Sequence, residues 1–310
     1  MSQASAAHLI SQSLASISMV IGGKDEQLKK SLACIFAGGH ILFEDLPGTG
    51  KTSIAQALSK TLGLDYSRIQ FTSDLLPSDV IGSVIFEQSS NSFSFQQGPI
   101  FTQLLLADEI NRTTPKTQSA LLEAMAEQQV TVDGKTYRLS QPFFVIATQN
   151  PQTQFGTFAL PESQLDRFML SLSLGYPDIQ SEKALLKGQT GRSKLNTLVS
   201  SFSAETINTI KQAVEQVHVS DALVDYVLRL VTQTREHPQL EYGISPRGAL
   251  ALTSVAKAWA FIHDRDYVIP EDIQALLLNT WQHRLVHAAS SAVEARTIIH
   301  QLLDDTAVNA

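Results

Sequence analysis

The sequence has a single cysteine, Cys34, so no internal disulfide can form and the fold does not depend on an oxidising compartment. Cys34 lies in Ser31-Leu32-Ala33-Cys34-Ile35-Phe36-Ala37, where it reads as a small buried hydrophobe. No apolar run approaches the roughly 20 residues that a membrane-spanning helix needs. Met1 to His8 carries no positive segment followed by an apolar core, so it does not read as a signal peptide, and the cytoplasm is the expected compartment. Positive charge is also short: 23 Lys and Arg against 30 Asp and Glu leave a formal net charge of −7, which disfavours a protein whose main task is gripping nucleic-acid phosphates. The histidines show no His-Glu-x-x-His or Cys/His ligand spacing, so no protein-bound zinc is expected. Trp259 and Trp281 sit in helical patterns and read as core.

What is present is the stretch Ile41-Leu42-Phe43-Glu44-Asp45-Leu46-Pro47-Gly48-Thr49-Gly50-Lys51-Thr52. An apolar strand enters a Pro/Gly turn and leaves through Lys-Thr into the helix-forming Ser53 to Lys60. Backbone N–H groups of such a turn and of the helix's first turn converge on one point, where the helix dipole also favours an anion. In this P-loop reading Pro47, Gly48, Thr49 and Gly50 cradle the phosphates of a nucleotide, Lys51 neutralises the β- and γ-phosphates, and the Thr52 hydroxyl ligates Mg²⁺. A plain turn with a solvated lysine is the alternative, and the strand before and helix after are the context that separates the two. Asp45 replaces the first glycine of the general pattern; since Asp tolerates turn geometry better than most residues, the loop is expected to survive it.

Around this loop, strand-like segments alternate with helical ones. Tyr66 to Phe71 alternates as a second strand, Val80 to Gly98 reads as irregular or short-stranded, and Phe101 to Ala107 is a buried strand closed by Asp108-Glu109. A helix follows from about Pro115 to Gln128, then a hairpin over Val130 to Tyr137 turning at Asp133-Gly134, a buried strand over Phe143 to Ala147 and a fifth over Met169 to Leu174. The expected class is α/β, a parallel sheet flanked by helices, over residues 1–175. From Tyr176-Pro177 onward the periodicity is almost wholly helical, so residues 176–310 are expected to form a second domain, a helical bundle.

Asp108-Glu109 ends a buried strand, where an α/β sheet displays reactive groups. An acidic pair there is commonly a helix N-cap; after a P-loop it reads as a Walker B segment, Asp108 holding Mg²⁺ and Glu109 polarising the attacking water. Asn150, at the end of the next strand, can orient that water, although an Asn before proline is also turn chemistry. Arg167 follows Leu165-Asp166, and a guanidinium given to a neighbour's nucleotide stabilises charge on the transferred phosphoryl group. A surface ion pair with Asp166 or Glu162 is its alternative. Arg247 begins a helix, a poor place for a cation unless a phosphate approaches it, and Arg112 is a weaker candidate of the same kind.

These residues resemble the MoxR group of AAA+ ATPases. The resemblance runs from Val20-Ile21-Gly22 to the last helices, most specifically through the P-loop, Ala107 to Arg112, Pro115 to Met125, Ala147 to Pro151, Leu165 to Phe168 and Ser245-Pro246-Arg247. By it, Asn150 is similar to sensor 1, Arg167 to the arginine finger, and Arg247 to sensor 2 reaching back from the lid, while Ile21, Gly22 and Tyr176 would line the adenine pocket. It implies a homo-oligomeric ring, usually a hexamer. It also implies chaperone-like remodelling or maturation of partner proteins, frequently alongside proteins with von Willebrand factor A-type domains. The rival readings are an AAA+ nucleic-acid motor or loader, which the acidic balance disfavours, and a nucleotide-gated scaffold, against which Glu109 speaks.

Overall fold

The computed structural model describes residues 3–46, 48–150, 156–187, 195–287 and 294–308. Two N-terminal helices, α1 (Gln3–Ser18) and α2 (Asp25–Phe36), precede β1 (Ile41–Glu44) and the loop helix α3 (Lys51–Leu62). Then come β2 (Tyr66–Gln70), α4 (Pro77–Ile81), β3 (Gly82–Glu87), β4 (Ser92–Gln97), β5 (Leu104–Asp108) and α5 (Pro115–Glu127). A hairpin of β6 (Gln129–Val132) and β7 (Lys135–Arg138) leads to β8 (Phe144–Gln149), α6 (Glu162–Leu165) and β9 (Leu170–Leu172). The remainder is α7 (Ile179–Leu186), α8 (Ala204–Glu215), α9 (Asp221–Glu236), β10 (Leu240–Tyr242), α10 (Pro246–Ile262), α11 (Pro270–Trp281), β11 (Val286–His287) and α12 (Ala295–Asp305). None of the described helices is long and apolar enough to cross a membrane.

The main sheet has the order β2-β5-β8-β1-β9, with every pairing parallel. Its strands read as continuous apolar runs because both faces are covered. Ile41 and Phe43 of β1, Leu104 and Leu106 of β5, and Phe144 and Ile146 of β8 join one core cluster; Leu42, Leu105 and Val145 join the other. The first cluster continues through α1 and α2 into the C-terminal helices, reaching Leu252, Trp259, Leu276 and the fully buried Trp281. Thus α10 packs on α2, and α11 packs on β9, where Asn279 Nδ2 donates to the Ser171 carbonyl at 3.1 Å. Serine N-caps start three of these helices: the Oγ of Ser203, Ser220 and Ser245 accept from Thr206, Leu223 and Gly248 backbone N–H groups.

Three segments sharpen or depart from expectation. The stretch after α4 is a regular antiparallel hairpin, β3 pairing β4 from Gly82↔Gln97 to Glu87↔Ser92. Its outer half is exposed on both faces, so no single apolar stripe marks it; cross-strand Phe86 and Phe93 meet at 5.2 Å, and Phe95 stacks on Tyr137 of β7 at 4.0 Å. The apolar run from Phe101 enters the sheet only at Leu104, since Thr102 N–H turns back to the Ile100 carbonyl at 2.8 Å. Beyond Tyr176 the chain also makes the short antiparallel pair β10-β11.

Candidate active site

The P-loop leaves β1, a central strand, at the sheet edge where β5 and β8 also end, the place an open α/β sheet offers to ligands. Gly48 and Gly50 take φ of +85° and +95°, left-handed values that glycine adopts at little cost, and a Cβ on either would meet nothing within 4 Å. The backbone requires glycine there while the space above stays open. Because α3 starts at Lys51 without a side-chain cap, its first N–H groups remain to be satisfied. Lys51 Nζ donates to the Asp45 carbonyl at 2.7 Å. Burial pushes the ammonium below its ordinary pKa, and the carboxylates of Asp45, Asp108 and Glu109 pull it back toward the charged form.

Across a cleft of about 350 Å³, Lys51 and Thr52 face Asp108, Glu109 and Asn150, with Arg68 and Gln70 on the same wall. Thr148 organises the acidic pair: its Oγ1 donates to Asp108 Oδ1 at 2.6 Å and accepts from the Glu109 N–H at 2.8 Å. Arg68 Nη2 donates to Asp108 Oδ2 at 2.7 Å. Glu109 itself has a left-handed backbone, φ 56° and ψ 51°, an arrangement that costs roughly 1–3 kcal/mol in a non-glycine residue and is concentrated at active sites. Gln70 Nε2 and Arg112 Nη1 both donate to its Oε2, at 2.9 and 2.8 Å. The open glycine arch, the helix N-terminus without a side-chain cap, a half-buried cation and a half-buried hydroxyl beside a nearly buried carboxylate suit a nucleotide's phosphates and a hard divalent cation.

Not every predicted residue lines this cleft. Thr49 is in the loop, but its Oγ1 donates to the Leu46 carbonyl at 3.2 Å, and Pro47 lies outside the described residues. Ile21, Gly22 and Tyr176 belong to a neighbouring junction, where the turn after α1 meets the chain leaving β9. There Lys24 Nζ donates to the Tyr176 carbonyl at 2.8 Å, and a Cβ on Gly22 would lie 2.5 Å from Ser181 Oγ; the Tyr176 ring is 76% exposed.

Arg167 and Arg247 meet in a second cleft of about 310 Å³ whose lining shares no residue with the first. By the resemblance Arg247 reaches back from the lid; here the first turn of α10 places it in the cleft that also holds Arg167. Arg167 Nη1 donates to the Leu122 carbonyl at 2.7 Å, whereas Asp166 is taken by Arg284, whose Nε donates to Oδ1 at 2.7 Å. Arg284 also donates to the carbonyls of Phe168 at 2.7 Å and Met169 at 3.2 Å, and His283 Nε2 donates to the Phe168 carbonyl at 2.9 Å. Ser245 Oγ, the cap of α10, lies 3.4–3.5 Å from the Asp166 carboxylate. Burial lowers the pKa of His283 to about 3 and of His40, beside the same cleft, to about 4, so both rings are neutral at pH 7. The segment bearing Arg167 is therefore held by a buried guanidinium at the end of α11. Arg284→Met should cost about 3–5 kcal/mol in urea unfolding, because it strands the Asp166 carboxylate. Adding Asp166→Leu should recover most of that loss.

Arg68, Gln70 and Thr148 were missed from the sequence. Arg68 and Gln70 share one phase of β2, which was a usable signal; Thr148 was hidden inside an apolar strand, and Arg284 stands 118 residues from Asp166.

Residues 40–170 match the model of the ATPase family associated with various cellular activities (AAA), and residues 232–302 match the AAA lid domain. The chain is 45% identical to the uncharacterised Bacillus subtilis protein YeaC over 95% of its own length and 93% of YeaC. The crystal structure of a "putative ATPase" from Cytophaga hutchinsonii superposes with a TM-score of 0.91 at 38% identity, covering 98% of this chain and 96% of that one. Chaperone MoxR1 of Mycobacterium tuberculosis is 35% identical over 97% of this chain and 82% of its own. With that identity extending over nearly the whole chain and the AAA and AAA lid matches within it, the chain belongs to the MoxR family of AAA+ ATPases.

Proposed function

We propose that the protein is a Mg²⁺-dependent ATPase that works in the cytoplasm as a homo-oligomeric ring, a hexamer by the family resemblance, and remodels or matures partner proteins. The observation carrying this reading is the separation of the two clefts. One holds the P-loop and the acidic pair; the other presents Arg167 and Arg247 without a phosphate-binding loop of its own. Copies arranged head to tail would bring the arginine cleft of one to the P-loop cleft of the next. Lys51 would then leave the Asp45 carbonyl for the phosphates, Thr52 and Asp108 would hold Mg²⁺, and Glu109 would accept the proton of the attacking water, which Asn150 orients. The cation, when bound, neutralises charge on the phosphate oxygens. Residues 1–175 would form the nucleotide-binding domain and residues 176–310 the lid, hinged near Gly175-Tyr176-Pro177. The printed name of the M. tuberculosis relative supports a chaperone role, with von Willebrand factor A-type proteins as candidate clients.

Steady-state phosphate release across a protein dilution series tests the proposal. The rate per chain should rise with protein concentration and level off as the ring forms. A rate per chain independent of concentration while sedimentation shows dissociation would refute the shared site. DNA-stimulated turnover with salt-sensitive DNA affinity would instead favour the nucleic-acid motor.

A further inference from the structure

Asp45 stands where the general P-loop pattern has glycine, and its backbone does not explain why. It is absent from the described non-glycine residues with positive φ, so the position makes no left-handed demand. Its side chain is only 5% exposed and accepts three hydrogen bonds from three successive residues of the strap that leaves β9. Ser173 Oγ donates at 2.7 Å, the Leu174 N–H at 2.6 Å and the Gly175 N–H at 3.0 Å. A buried carboxylate so placed substitutes bonds from the strap for its lost hydration.

The same strap is gripped by a buried cation. Lys24, 8% exposed, donates its ammonium to the carbonyls of Leu174 and Tyr176. The N–H and C=O of Leu174 are thus held by groups of opposite charge, from positions 129 and 150 residues away in the chain. Asp45 is also the residue whose carbonyl takes Lys51 Nζ in this structure. A continuous path therefore runs from the P-loop lysine through Asp45 to the strap, and from the strap into α7 and the C-terminal helices.

We propose that Asp45 and Lys24 are positioning residues that hold the strap Ser173–Tyr176 from two sides, Asp45 to the P-loop and Lys24 to the turn before α2, so that a nucleotide drawing Lys51 off the Asp45 carbonyl changes how the strap and the helices beyond it are held. The inference rests on nucleotide binding at the P-loop and assigns Asp45 a purpose other than turn tolerance. Asp45→Asn keeps the shape but offers one acceptor oxygen for three donors; Lys24→Met keeps the stem and removes the cation from a site that does not touch the P-loop cleft.

Hydrogen exchange of the Leu174 and Gly175 amides, read with and without Mg-ADP, tests the clamp directly. In the unaltered protein Mg-ADP should change that exchange at least about threefold, and in both variants the change should disappear while the Kd for Mg-ADP stays within about threefold. The variants' kcat for ATP should fall about tenfold with KM little altered, as expected when charged hydrogen bonds that position a loop are lost. Full retention of the exchange response in Asp45→Asn and Lys24→Met would overturn the proposal, as would loss of the response only in proportion to lost ADP binding. Should Asp45→Asn fail to fold, Lys24→Met and Asp45→Gly carry the same test. An unaltered protein that binds Mg-ADP without any change in strap exchange refutes the clamp alone, whereas one that binds no Mg-ADP refutes the nucleotide reading beneath it.

Discussion

Glu109→Gln should bind ATP as the unaltered protein does while hydrolysing it on the order of 10²–10⁴-fold more slowly, the usual contribution of a positioned general base. The substitution is well suited to separate the two functions. The amide oxygen of glutamine can still accept from Gln70 Nε2 and Arg112 Nη1, which both donate to Glu109 Oε2, so the left-handed turn and its surroundings have no reason to move. What disappears is the basic oxygen able to take a proton from water. Asp108 keeps its bonds to Thr148 and Arg68, so the neighbouring carboxylate that would hold the cation remains in position. Phosphate release at saturating ATP, paired with equilibrium binding of a fluorescent ATP analogue, measures both quantities. Turnover within about threefold of the unaltered rate would remove Glu109 from the chemistry; parallel loss of binding would mean that it serves the loop instead.

The reach of the sequence follows from the distance over which each feature is specified. The P-loop was legible because strand, turn and helix are contiguous, and Gly48 and Gly50 are glycines that the backbone demands. Asp108-Glu109 was legible because β5 is buried on both faces and its apolar run stops abruptly at the acidic pair. The hairpin β3-β4 was legible only as irregular or short-stranded, because a ribbon whose outer half is exposed on both faces carries no period that burial could impose on its Ser and Gln residues. The neighbours of Arg247 were not legible for another reason. Local sequence marks the start of α10 through Ser245 and Pro246, but where that start lies depends on α10 packing against α2, more than 200 residues earlier. Likewise the Ser173–Gly175 bonds to Asp45 and the Arg284 bonds to Asp166 join positions more than 100 residues apart, and no local spacing encodes them.

Arg167→Ala should lower kcat on the order of 10³-fold and leave ATP binding by the same chain intact, since a guanidinium supplied in trans acts on the transferred phosphoryl group and not on the ground-state nucleotide. Its bond to the Leu122 carbonyl is a single one at the surface of the second cleft, so the loss should be catalytic and not structural. Mixing Arg167→Ala with Lys51→Ala subunits should restore part of the turnover, because some interfaces then pair an intact P-loop with an intact Arg167. The shared location of Arg167 and Arg247 allows a sharper experiment. If both arginines serve the neighbour's nucleotide, mixing Arg167→Ala with Arg247→Ala subunits restores nothing, because every interface contains one defective arginine cleft. If Arg247 instead serves its own P-loop, the same mixture creates interfaces in which an Arg167→Ala chain supplies the P-loop and Arg247 while its neighbour supplies Arg167, and activity returns. With subunit exchange confirmed by the Lys51→Ala mixture, silence in the double-arginine mixture assigns both guanidinium groups to the subunit next door.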